Sequence, residues 1–286
     1  MLTQIDKKPE DIDVIGFHGQ TIFHDPANRK TLQIGDGAAL AQATGINVVN
    51  DFRTADVAAG GQGAPLVPLY HAAIATTWEK PCMIVNIGGV ANATYIDRHS
   101  RESGNPEIMY ACDTGPGNAL MDDAMQEFFG MPSDMDGGIA STGTPREDLL
   151  STWLADEFFT RPAPKSLDRN HFKINVSDLM PDEALATLAE FTARSIVQSA
   201  QLFPAPPKQW IITGGGRKNQ HLMARLHALA AAPVHDISDL KWDGDALEAQ
   251  AFGYLAARHL LKLPLSLPTT TGVPAPTLGG RFHLAQ

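Results

Sequence analysis

Short apolar runs alternate along the chain with amphipathic stretches, and glycine-rich polar breaks separate them. Strands are predicted over residues 11–17, 31–34, 46–50, 82–86, 93–96, 108–112, 210–213 and 234–237, each a short run centred on apolar residues. Helices are predicted over 38–43, 66–77, 119–129, 145–159, 181–202, 220–231 and 246–261, where apolar positions recur at helical spacing. Such alternation implies α/β layers. The breaks carry the polar chemistry. His18-Gly19-Gln20-Thr21 follows the first strand, where ligands of open α/β sheets tend to sit, so His18 and Gln20 are placed for contact. Residues 54–68 read as a ligand-wrapping loop with glycines at 60, 61 and 63, preceded by Arg53. Residues 87–92 form a hairpin tip around Gly88-Gly89. Residues 98–106 read as a polar turn, and 161–169 as a proline-stiffened, basic, exposed loop.

The densest signal is Tyr110-Ala-Cys-Asp-Thr-Gly-Pro-Gly-Asn118. Here Asp113 is expected where a strand hands over to a helix. Pro116 suits a first helical turn, and the helix N-terminus is expected to offer free N–H groups to an anion. An Asx turn with glycines serving only the backbone would use the same residues. Gly214-Gly215-Gly216 between a strand and a helix has the geometry that brings a backbone close to a nucleotide, although no Gly-Lys-Ser or Gly-Lys-Thr follows. Glu248 falls in the first turn of the helix predicted from 246, where an acid also complements the helix dipole.

Bulk properties narrow the classes. The 286 residues can bury more than one core, and two lobes are expected, changing over near residue 78. A net charge of −10 without basic runs argues against nucleic acid or an anionic membrane as partner. No apolar run is long enough to span a bilayer, and residues 1–8 lack a signal-peptide core, so a cytoplasmic protein is expected. Cys82 and Cys112, both in predicted strands, are expected to be free core thiols.

Taken together, the stretches Gly16-Phe-His-Gly-Gln-Thr21 with His24, Gln33-Ile-Gly-Asp-Gly37, Asp51-Phe-Arg53, Gly63-Ala-Pro-Leu66, Asn86-Ile-Gly-Gly89 with Asn92, Asp113 to Asn118, Pro164-Lys-Ser166, Thr213-Gly-Gly-Gly216 with Asn219, and Glu248-Ala-Gln-Ala-Phe-Gly253 resemble the anhydro-N-acetylmuramic acid kinase family. The resemblance covers nearly the whole chain in order. It implies an α/β, two-lobed actin-like ATPase (ribonuclease H-like) fold, in the superfamily of actin, hexokinase and Hsp70. By the same resemblance, residues 1–78 form the remainder of the sugar-side lobe, 79–255 the catalytic and nucleotide-side lobe, and 256–286 a helix and tail returning to the first.

The implied reaction opens the 1,6-anhydro ring of anhydro-N-acetylmuramate with water and phosphorylates O6 from ATP, with Mg²⁺ accompanying the nucleotide, in peptidoglycan recycling. Asp113 is then the general base; Arg53, Glu248, Asn118, His18 and Gln20 hold the sugar. Gly88 and Gly89 face the phosphates, and Gly214, Gly215, Gly216 and Asn219 lie by the adenosine. No metal ligands are assigned, and a homodimer is expected by family analogy. The chain departs from the family in lacking an N-terminal Gly-Thr-Ser-x-Asp-Gly phosphate loop, so its first lobe is expected to be N-terminally truncated. That departure keeps two alternatives open: a catalytically impaired sugar-binding remnant, or a kinase for another sugar.

Overall fold

The computed structural model describes residues 6–97 and 108–285; the polar turn expected over 98–106 lies outside them. In chain order the strands and helices are β1 (Ile15–Gly16), β2 (Gln20–Asp25), β3 (Lys30–Ile34), α1 (Gly37–Thr44), β4 (Val48–Asn50), α2 (Thr54–Ala58), α3 (Pro68–Ile74), β5 (Cys82–Ile87), β6 (Val90–Ile96), β7 (Met109–Pro116), α4 (Ala119–Phe129), α5 (Glu147–Trp153), α6 (Pro181–Gln198), β8 (Gln209–Thr213), α7 (Gln220–Leu229), β9 (Val234–Asp236), α8 (Leu247–Leu260), α9 (Pro268–Thr271) and β10 (Arg281–His283). They form two compact units, Met1–Thr76 with Ala246–Gln286, and Thr77–Asp245. The second changeover falls at the start of α8, ahead of the 255/256 boundary expected from sequence. Helix α8 packs on β1 and β4, which draws all of it, Glu248 included, into the first unit.

The first unit holds a three-stranded sheet, order β1-β4-β10, with β1 parallel and β10 antiparallel to β4. Its core is Val49, Phe52, Leu66, Phe252, Leu255, Ala256 and Leu265. Gly16 is required here, because a Cβ would stand 2.0 Å from the Phe252 carbonyl oxygen of α8. Only two residues of the predicted 11–17 strand pair. Gln20 and Thr21, read as part of a contact loop, instead begin β2, paired antiparallel with β3.

Residues 54–68 are also more ordered than their glycines suggested. They begin with α2, whose Asp56 and Val57 are buried. Asp56 ties the loop down: Oδ1 accepts from the Gly63 N–H at 2.6 Å and Oδ2 from the Thr271 hydroxyl, while the Gln62 N–H donates to the Thr271 carbonyl at 2.7 Å.

The second unit holds one five-stranded sheet in the order β7-β6-β5-β8-β9. Strands β5, β6 and β7 form an antiparallel meander, and β8 and β9 continue parallel to β5. Helices α4, α6 and α7 supply apolar faces to a core that includes Met83, Val85, Ile87, Cys112, Met121, Leu185, Leu188, Ile212 and Leu222. Leu150, Phe158, Phe159 and Phe191 form a second, aromatic cluster. Cys82 and Cys112 are buried thiols outside any disulfide, as expected.

Candidate active site

In the second unit Asp113 lies inside β7, three residues before its end, rather than at a strand-to-helix handover. Pro116 closes the strand, and α4 begins only at Ala119. The edge of β7 at Asp113 is covered by residues 165–167. The Asp113 N–H donates to the Lys165 carbonyl at 2.9 Å, and the Leu167 N–H donates to Asp113 Oδ2 at 2.7 Å. Burial among these neighbours pushes the Asp113 carboxyl up to about 7, although the Leu167 bond and the Lys165 ammonium pull the other way. A carboxylate with that affinity for protons can take one from water near neutral pH.

The excursion over 161–169 is therefore not an exposed loop throughout. Lys165 is 7% exposed. Its Nζ donates to the carbonyls of Phe158 (2.6 Å) and Phe159 (3.4 Å) and sits 4.2 Å from the Phe158 ring centroid. Composition could not reveal this, because the partners of Lys165 are backbone carbonyls and a ring.

The hairpin tip and the start of α4 are tied to each other. The Gly89 carbonyl accepts from the Gly117 and Ala119 N–H groups at 3.0 and 3.2 Å, and the Gly88 carbonyl accepts from the Asn118 N–H at 2.7 Å. These three N–H groups are consequently not free to meet an anion, and the Gly88 N–H closes its own turn onto Val90. The glycines serve close packing as well. A Cβ on Gly117 would stand 2.2 Å from the Gly88 carbonyl oxygen; on Gly214, whose φ is +77°, 2.5 Å from Asn86 Oδ1; on Gly216, 2.3 Å from Ile87 Cγ2.

Gly215 differs from its neighbours. It is exposed, with nothing nearer to a Cβ than Asn118 Nδ2 at 3.7 Å. It lines a cavity of about 380 Å³ together with Asn118, Met121, Asp134, Lys218 and Asn219, among others. Asn118 Nδ2 also reaches the Ile87 carbonyl at 3.4 Å, and Asn219 caps α7 by accepting from the Leu222 N–H. Asn118, Gly215 and Asn219 thus come together at this cavity. Gly88, Gly89, Gly214 and Gly216 shape the backbone beside it.

In the first unit the guanidinium of Arg53 is held on two sides. Its Nε donates to His18 Nε2 and its Nη1 to the Gly63 carbonyl, each at 2.8 Å. Because Nε always carries its proton, His18 Nε2 must accept, and the His18 proton sits on Nδ1, donated to the Gly19 carbonyl at 2.8 Å. Burial and the Arg53 charge lower the His18 pKa and keep the ring neutral. Glu248 acts electrostatically on both Arg53 and His18. Arg53, His18 and Glu248 thus form one group, with donor capacity remaining on the guanidinium. Gln20 stands apart on β2, exposed, its amide donating to the Thr21 carbonyl at 3.4 Å. Asp56, which fixes the Gly63 end of this arrangement, was not singled out in the sequence; its signal was an acid set among residues that pack inward.

Among the described residues no group of three His, Cys, Asp or Glu side chains could hold a metal ion, and no helix is long and apolar enough to cross a membrane.

The family model for anhydro-N-acetylmuramic acid kinase matches residues 1–284. The chain belongs to the anhydro-N-acetylmuramic acid kinase family. It is similar to the anhydro-N-acetylmuramic acid kinase of Rhodopseudomonas palustris, at 51% identity over 276 residues covering 95% of this chain and 73% of that protein. The family member of Acidiphilium cryptum is 52% identical over 274 residues, 94% of this chain and 74% of its own length. Among solved structures, xylulose kinase from Lactobacillus acidophilus aligns with a TM-score of 0.44 at 14% identity, over 77% of this chain and 45% of that one.

Proposed function

We propose that this chain is an ATP-dependent kinase that opens 1,6-anhydro-N-acetylmuramate with water and phosphorylates O6, giving N-acetylmuramate 6-phosphate. Within a chain of this family, the observation that carries the reading is Asp113. Its Oδ2 is engaged by the Leu167 N–H, so Oδ1 is the oxygen to bind the attacking water. Its proton affinity near neutrality suits a general base.

In this reading the water oxygen bonds to C1 as its proton passes to Asp113, the C1–O6 bond breaks, and O6 takes the terminal phosphoryl group of ATP, releasing ADP. The Arg53 fork, set by His18 and Gly63, holds a sugar oxygen or the lactyl carboxylate, and Glu248 accepts from a sugar hydroxyl. Gly215 and Asn219 line the side assigned to adenosine, and Asn118, assigned to the sugar by the resemblance, lines the same cavity. Gly88, Gly89, Gly214 and Gly216 act through the shape they give the adjoining backbone. A divalent ion such as Mg²⁺ would ride on the nucleotide phosphates, where it neutralises charge.

The reading includes a cytoplasmic setting, where ATP is supplied, and by family analogy a homodimer. Incubation with ATP and the anhydro sugar should yield the 6-phosphate, read by mass spectrometry. No product under saturating substrates, from protein shown to be folded, contradicts the proposal.

A further inference from the structure

We propose that Lys165 is a positioning residue that sets the proton affinity and orientation of Asp113. The inference rests on the reading of Asp113 as the base and concerns a residue that reading does not use. An ammonium withdrawn from solvent is costly unless its donors are satisfied, and a lysine that merely decorated a loop would snorkel to water. Lys165 instead turns inward and hydrogen-bonds the carbonyls of Phe158 and Phe159, against the face of the Phe158 ring.

The consequence is felt at the Lys165 backbone itself and two residues further on, at Leu167. Because its side chain is pinned to residues 158–159, the Lys165 backbone is fixed where its carbonyl receives the Asp113 N–H, and Leu167 is fixed where its N–H meets Asp113 Oδ2. One side chain therefore anchors both bonds that orient the acid. The Lys165 charge also acts on Asp113 directly, favouring the carboxylate against the burial that opposes it.

The other titratable neighbours are Cys112, whose thiol is pushed up to about 12 and so stays neutral, and Arg161, which lies over the Phe158 ring and bears on Lys165. The residue opposite Asp113 on β6 is the uncharged Asn92. Lys165 is thus the cation acting on Asp113 among the described residues that bear on its proton.

The test is a carbon-detected NMR titration of the Asp113 carboxyl in the free protein, alongside the pH profile of kcat/KM, for the native chain and for Lys165→Met, Lys165→Gln and Lys165→Arg. In Lys165→Met the Asp113 midpoint should rise by roughly one pH unit, the acidic limb of kcat/KM should move up with it, and kcat should fall about tenfold or more. Lys165→Arg should return most of the midpoint shift. A folded Lys165→Met protein whose Asp113 midpoint is unmoved overturns the proposal. If that variant does not fold, Lys165→Gln, which keeps a donor for the two carbonyls but no charge, decides on the same criterion. A carboxyl midpoint that moves while the kinetic limb stays fixed would overturn the assignment of Asp113 as base and leave the role of Lys165 intact.

Discussion

In the proposed role of Asp113 as base, proton affinity is gained at the expense of stability above neutral pH. Its carboxyl has an ordinary value of 3.8 and is raised to about 7 in the folded chain, so between those values the native state binds a proton that the unfolded state has released. The stabilisation is fully present below the ordinary value and is lost as pH rises through 7. At about 1.4 kcal/mol per pH unit, three units set an upper bound of roughly 4 kcal/mol lost by pH 8. Asp113→Asn should therefore be more stable than the native chain at pH 8, by about 1–4 kcal/mol in urea unfolding, and nearly equal to it at pH 4. Its turnover should fall by at least about a hundredfold. A variant that is destabilised at pH 8 would show that the carboxylate is not strained there. The acid itself was legible in the sequence from its place in the Asp-Thr-Gly-Pro-Gly-Asn stretch. What raises and orients it was not, because Lys165 and Leu167 lie more than fifty residues along the chain, and only the pairing of their backbone with β7 brings them to it.

At the scale of elements, the glycines divide by what stands behind them. Gly216 abuts Ile87, Gly117 abuts the Gly88 carbonyl, and Gly215 has only Asn118 Nδ2 before it, at ordinary van der Waals distance. Gly216→Ala should cost about 1–3 kcal/mol of stability, because the Ile87 side chain sits on a buried strand and cannot retreat. Gly215→Ala should leave thermal stability within about 0.5 kcal/mol of native and should act instead on the KM for ATP, raising it several-fold if the cavity holds the nucleotide. In the sequence the three consecutive glycines are indistinguishable. The distinction between them needs the hairpin of β5 and β6, whose tip lies against this turn. The same limit applied to residues 54–68, where a high glycine count concealed α2 and the acid that organises the loop. Regular elements were easier: α4 occupies residues 119–129 as its apolar spacing predicts, and the β5–β6 hairpin follows from two apolar runs around a pair of glycines.

On the scale of the whole molecule, the second unit is one continuous stretch of chain, whereas the first is assembled from two segments. Thr77–Asp245 carries a complete five-stranded sheet and its own core, which is enough for a domain of this length to fold by itself. Expressed alone it should unfold cooperatively on heating, with far-ultraviolet circular dichroism and tryptophan fluorescence changing together; a non-cooperative melt would show that it depends on the first unit. The α/β alternation was readable from periodicity, and the changeover expected near residue 78 lies beside the division at Thr76 and Thr77. The return to the first unit was placed later in sequence than the contacts place it, since nothing in the composition of α8 says which sheet it will cover. Catalysis as proposed depends on Asp113 taking a proton from water. The most direct measurement is kcat/KM for the anhydro sugar from pH 5 to 9. The account predicts that it falls tenfold per unit of pH below a midpoint near 7, in step with the free carboxyl of Asp113, and that Asp113→Asn removes that limb along with the activity. An acidic limb that persists unchanged in a still-active Asp113→Asn protein would contradict it.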